Sequence, residues 1–111
     1  MAQARQADPL DLLDRRWAPQ VLVRLIDGPQ RFAQLAADIP GVSRRMLTER
    51  LRELEAAELV VRTVDSGPPI AVSYALADQP GELSAALRAL RAWAEAKASL
   101  ARIHRLSAAG R

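Results

Sequence analysis

Pro40-Gly41 interrupts two runs that each carry apolar residues at helical spacing, and this break constrains the fold more than any other feature of the chain. Before it, Phe32, Leu35, Ala36 and Ile39 fall on one face of a two-turn helix. After it, Leu47, Leu51 and Leu54 do the same for a helix predicted to run to about Ala57. Ser43 has the right chemistry to cap that second helix, and Val42 and Leu47 stand where a hydrophobic staple would close over the cap. Two short helices joined by a tight turn have the spacing of a helix-turn-helix.

The flanking segments complete a small domain. Residues 1–9 show no periodicity and read as a flexible arm ending in Asp8-Pro9. Leu10, Leu12 and Leu13 predict a short helix, and Trp17, Val21, Leu22, Leu25 and Ile26 predict a stronger one, with Pro19 in its first turn and Gly28-Pro29 ending it. Gln30-Arg31-Phe32 is a connector with room for a minimal strand. "LVVRTVD" (59–65) and "IAVSYAL" (70–76) flank the turn cluster Ser66-Gly67-Pro68-Pro69 and read as a β-hairpin, the wing of a winged helix. Asp78 can cap a final helix over residues 79–104, with Pro80 in its first turn and Glu82 near its positive end. Such a helix is roughly 35–40 Å long. Leu83, Leu87, Leu90, Ala94 and Ala101 make one apolar stripe along it, broadened by Ala86, Trp93 and Leu100. Lys97 lies inside the stripe, with its stem able to follow the apolar surface. Too little chain remains to cover this stripe, and a second copy is the simplest cover. The predicted class is therefore mainly α with a small β-hairpin: an arm (1–9), a winged helix-turn-helix (10–78), a long dimerisation helix (79–106) and a tail (107–111).

Composition narrows the chemistry. The 111 residues are 50% hydrophobic and 26% charged, as expected for one folded domain. No apolar run is long enough for a bilayer and no signal-peptide pattern opens the chain, so the expected location is the cytoplasm, without membrane contact. With no cysteine and a single histidine, His104, neither thiol chemistry nor a metal site is expected. No Gly-rich phosphate loop or paired carboxylates stand in for them, so no cofactor and no enzymatic activity are predicted.

The net charge is +3, and all 16 basic residues except Lys97 are arginine. Arginine is the side chain best shaped for phosphate and guanine, although a GC-rich coding bias would enrich it too. Arg44, Arg45, Arg50 and Arg52 crowd into the second helix of the helix-turn-helix. On a helical wheel Arg45, Glu49 and Arg52 lie opposite the leucines, with Thr48 on the flank. This face also fits a solvated, salt-bridged surface, but its neighbours favour DNA. Arg45, Thr48 and Arg52 are the candidates for groove contacts, and Ser43 and Arg44 for phosphate at the helix start. Arg50 points sideways, towards an acid of a neighbouring helix. Trp17 and Trp93 fit core or interface packing better than ligand stacking, although both could border a ligand cleft between the long helices and the Trp17 helix. Tyr74 has the inward phase of its strand. His104 is expected near a helix C-terminus, and Asp11, Asp14 and Asp27 as residues that cap or end helices.

The segment "RWAPQVLVRLIDGPQRFAQLAADIPGVSRRMLTERLRELEAAELVVRT" (16–63), with "VSYAL" after it, closely resembles the HxlR-type winged helix-turn-helix regulators, relatives of the MarR group, over about residues 9–95. The resemblance implies a dimeric bacterial transcription regulator, repression being the expected direction, that binds double-stranded DNA at a pseudo-palindromic operator. It implies Arg31, Ser43, Arg44, Arg45, Thr48 and Arg52 as DNA contacts, with Arg62 beside the wing. It also implies pairing through the N-terminal segment and the last helix, making Leu10, Leu13, Leu83, Leu87, Leu90, Trp93, Ala94 and Leu100 interface candidates. The sequence departs from the family pattern in three places. Ala7-Asp8-Pro9 stands where many members carry a redox-sensing cysteine, so a small-molecule effector is the expected signal. Ala71 replaces a basic wing residue, and Leu76-Ala77 with a displaced Gly81 alters the approach to the last helix. The rival reading is a winged-helix protein-interaction module without direct operator binding.

Overall fold

The computed structural model describes residues 8–109. Its elements are α1 (Pro9–Leu13), α2 (Ala18–Arg24), β1 (Gln30–Arg31), α3 (Phe32–Asp38), α4 (Arg44–Ala56), β2 (Val60–Asp65), β3 (Ala71–Leu76) and α5 (Glu82–Ala109). This is a mostly helical winged helix-turn-helix with a small antiparallel sheet and a long C-terminal helix. The predicted connector is a strand that widens the hairpin into a sheet of order β1-β3-β2, with Gln30 opposite Tyr74. β2 and β3 pair from Val60↔Leu76 to Asp65↔Ala71.

The core gathers Val21, Leu22, Leu25 and Ile26 against Leu35 and Ile39 of the α3 segment. Leu47, Leu51 and Leu54 of α4, Val60, Leu76 and Leu87 close it. Burying a leucine stabilises by about 1.5–3 kcal/mol, whereas a surface ion pair contributes about 0–1 kcal/mol. Burial therefore decides which face of α4 points inward, and the arginines take the outer face. Ser43 caps α4 as predicted, its Oγ accepting the Met46 N–H at 3.0 Å. Val42 is partly buried against the core cluster that includes Leu47.

Several boundaries differ from expectation. Asp8 caps α1, its carboxylate accepting the Leu10 N–H at 3.0 Å, so the helix begins at Pro9, the last residue of the predicted arm; residues 1–7 lie outside the described residues. Trp17 is not helical but sits before α2 at φ 77°. The final helix starts at Glu82 rather than Gln79. Asp78 still caps it, but from a distance, accepting the Leu83 N–H at 2.7 Å, while the buried Ser84 hydroxyl bonds both the N–H and the carbonyl of Gly81. These two side chains take over the first turn, and Pro80 is left outside it. The helix continues to Ala109, into the predicted tail; its 28 residues span about 42 Å.

The expected single stripe on α5 divides. Leu87 is 4% exposed and Leu83 is packed against the core, so these two are taken up within the chain rather than left for a partner. Leu13 also packs on the core. From Leu90 onward the helix runs beyond the core, and Leu90, Trp93, Leu100 and Ile103 are exposed. Among the described residues no helix is long and apolar enough to cross a membrane, and no acid or histidine cluster is placed to hold a metal.

Candidate nucleic-acid interface

α4 presents its outer face free of the core. The Arg45 side chain is 88% exposed and lies 3.7 Å from Glu49 one turn on, an ion pair that costs little to exchange for a phosphate or a base edge. Arg52 is exposed and has no ion-pair partner among the described residues. Thr48 is exposed and donates its hydroxyl hydrogen to the Arg44 carbonyl at 2.8 Å, so its oxygen remains free to accept. The methyl group of a threonine suits contact with thymine.

Arg44 lies over the Phe32 ring at 4.9 Å, held by a cation–π contact beside the start of α4. Ser43 Oγ accepts within the helix but keeps its own hydrogen to donate, and the first N–H groups of α4 have no intrahelical acceptor. Together they form a site suited to a phosphate. Arg31 is exposed where β1 passes into α3, and Arg62 is exposed in β2 opposite Tyr74. Tyr74 itself packs against the core, as its phase predicts.

The wing is poor in charge. Asp65 bonds the Gly67 N–H at 3.2 Å, and the tip carries Ile70 at 74% exposure with no cation between Asp65 and Ala71. Arg50, by contrast, is withdrawn from the surface. Its Nε–H donates to the Arg16 carbonyl at 2.8 Å and its terminal nitrogen meets Glu53 at 2.6 Å, so its acidic partner lies on its own helix rather than on a neighbouring one. Glu53 also receives Arg15 at 3.3 Å. Sequence spacing could not reveal these bonds between segments more than thirty residues apart.

The opposite side of α2 bears the long helix. Gln79 and Arg88 donate to the Ile26 carbonyl, and Arg91 pairs with Asp27 at 3.0 Å. Asp27 is thus an ion-pair partner of α5 and not a simple helix terminator. The hydrogen bond from Arg91, followed by its charge, lowers the Asp27 pKa below its ordinary value. A groove of about 550 Å³ lies between α2 and α5, lined by apolar residues such as Val23, Ile39, Leu90 and Ala94, with Gln20, Arg24, Arg91 and Glu95 as polar groups. Neither expected tryptophan lines it. The Trp17 ring packs at Gly41, and Trp93 projects about 100° around the helix from Ala94.

The profile of the HxlR-like helix-turn-helix family matches residues 12–101. The chain is 40% identical over 84 residues to the transcriptional regulator YodB of Bacillus subtilis, covering 76% of this chain and 75% of YodB. The reduced form of YodB superposes with a TM-score of 0.67, covering 78% of this chain and 85% of YodB, at 39% identity. Reduced HypR, a redox regulator, gives a TM-score of 0.72 at 31% identity over 85% of this chain and 93% of HypR. The regulator ytfH of Salmonella typhimurium gives 0.71 at 31% identity over 87% of each chain. With the predicted motif, the observed fold and these likenesses in agreement, the chain belongs to the HxlR-like helix-turn-helix family of transcriptional regulators.

Proposed function

We propose that two copies of the chain form a cytoplasmic repressor that binds a pseudo-palindromic DNA operator. The outer face of α4 carries this reading: Arg45, Thr48 and Arg52 project from a helix whose opposite face is locked into the core. Each α4 enters a major groove, the two lying about 34–36 Å apart, one turn of B-DNA. Ser43, Arg44, Arg31 and Arg62 position the subunit on the backbone. The exposed row Leu90, Trp93, Leu100 and Ile103, together with Leu10 of α1 at 70% exposure, forms the dimer contact.

Removing both outer arginines, in the double variant Arg45→Ala/Arg52→Ala, weakens operator binding and relaxes base discrimination by about 1–3 kcal/mol for each bidentate pairing with a base that the wild type makes. Electrophoretic mobility or anisotropy titration on a selected operator measures this. Unchanged affinity with an intact fold rejects the assignment. Duplex binding that is absent or insensitive to salt favours the protein-interaction module instead.

HypR has been solved in oxidised and reduced forms and YodB in quinone-bound and diamide-treated forms. This chain has no cysteine, so its own signal does not pass through a thiol. A small apolar ligand in the α2–α5 groove, whose volume falls in the range of ligand sites, is the signal in this reading. Thermal-shift screening followed by titration in the presence of operator tests it. An effector that leaves the melting temperature and DNA affinity unchanged with Ala94→Trp, yet acts on the wild type, locates it in the groove. An absence of any effector rejects this part.

A further inference from the structure

The α1–α2 junction, residues 14–17, is tied to the recognition helix at two points and to the turn before it at a third. Arg50 Nε–H donates to the Arg16 carbonyl at 2.8 Å, and Glu53 bridges Arg50 and Arg15 at 2.6 and 3.3 Å. Trp17, held at φ 77°, packs its ring at Gly41 in the turn that precedes α4, where an added Cβ would lie 3.3 Å from the indole. A non-glycine residue at positive φ persists only where its surroundings over-determine it. Here the Ala18 N–H bonds the Arg15 carbonyl at 3.1 Å and the Val21 N–H bonds the Trp17 carbonyl at 3.0 Å. Arg16 lies over the indole at 4.8 Å.

Arg50 is not placed to touch DNA. Its side chain is 11% exposed, and its fork is engaged by a carbonyl on one side and a carboxylate on the other. On the wheel Arg50 and Glu53 occupy one flank of α4, away from Arg45 and Arg52. That flank faces the junction leading back to α1, the element that carries the exposed Leu10.

From this we infer that Arg50 is a positioning residue: with Glu53 and the Trp17 junction it sets the angle between the recognition helix and the dimer-forming N-terminal helix, and so the half-site spacing the protein accepts. The inference rests on the dimeric operator-binding reading above. Only a guanidinium reaches both partners, because its donors diverge in a fixed plane. Lysine can keep the pair with Glu53 but cannot at the same time hold the Arg16 carbonyl. Charge and local packing therefore separate from positioning in Arg50→Lys.

The test uses the full chain and a duplex selected from a randomised pool, together with versions lengthened or shortened by one base pair between half-sites. Wild type is expected to lose about tenfold or more in affinity for each change of spacing, and Arg50→Lys about threefold or less, because the helices are no longer held at one separation. The salt slope stays that of wild type, since every phosphate contact is retained. An Arg50→Lys profile as sharp as that of wild type, or a uniform loss at all spacings, overturns the clamp, the second result marking a merely structural role. A reduced salt slope also overturns it, by showing Arg50 on the DNA. If Arg50→Lys does not fold cooperatively, Glu53→Gln replaces it. That variant keeps the bond to the Arg16 carbonyl, loosens Arg15, and flattens the profile in the same direction; an unchanged profile overturns the inference. Wild-type protein that binds without any spacing preference overturns the dimeric reading itself, a result distinct from failure of the clamp alone.

Discussion

Gly41 joins two constraints at one residue. Its φ of 87° lies in the left-handed region, and a Cβ there would crowd the Trp17 indole at 3.3 Å. Glycine meets the first demand without steric cost and the second by having no side chain. Gly41→Ala is therefore expected to destabilise the fold by more than about 1 kcal/mol, seen as a lower urea midpoint at unchanged slope. The break at Pro40-Gly41 and the Ser43 cap were legible because both act within four residues of themselves. The indole above the turn was not, because it comes from a residue 24 positions earlier in the chain. The same limit applies to arginine roles. Helical phase separated Arg45 and Arg52 from Arg50, yet only the fold revealed that Arg50 holds the Arg16 carbonyl.

At the scale of elements, α5 shows how a pattern can be right while its partners are misassigned. The periodicity correctly marks an apolar helix, but periodicity carries no information about where the chain's own core ends. Leu83 and Leu87 meet that core, and the helix then leaves it. The exposed row beyond Leu90 is the part available to a second copy. Leu100 is 52% exposed, so Leu100→Glu removes no intrachain packing of consequence. The variant is expected to sediment as a monomer with wild-type helicity and to lose affinity for a two-half-site operator while keeping weak half-site binding. Sedimentation velocity with circular dichroism checks it; a dimer of wild-type affinity would reject the α5 contact. The wing makes the complementary case. Its strands were legible from alternation and turn residues, and its low charge from composition, whereas β1 was visible only as a connector because two residues carry no period.

For the whole molecule, the attachment of α5 depends on groups at the end of α2. Asp27 and Arg91 pair in the open, and the lowered Asp27 pKa makes the contribution of this pair to stability depend on pH. The carboxyl is more acidic folded than unfolded. Its stabilisation is therefore present above the ordinary value of 3.8 and is lost as pH falls through the lower folded value. Arg91, raised above its ordinary value, stays charged throughout that range. Asp27→Asn is expected to melt below wild type over about pH 5–8 and to converge with it near about pH 2, with the gap narrowed by salt. Parallel melting curves at all pH values would show that the pair contributes nothing.

Local and periodic properties were determined by the sequence alone: two short helices about a glycine turn, a serine cap, a hairpin, an arginine face opposite leucines, and the absence of cysteine. Each depends on residues within a few positions or on a repeat, so the chain states it without reference to its fold. Tertiary structure alone decided which apolar residues were spent inside the chain, which arginine became internal, and how α2 is joined to α5. Those outcomes depend on which surfaces meet across tens of residues, and burial, more favourable than any surface pair, selects among them only when the whole chain is assembled.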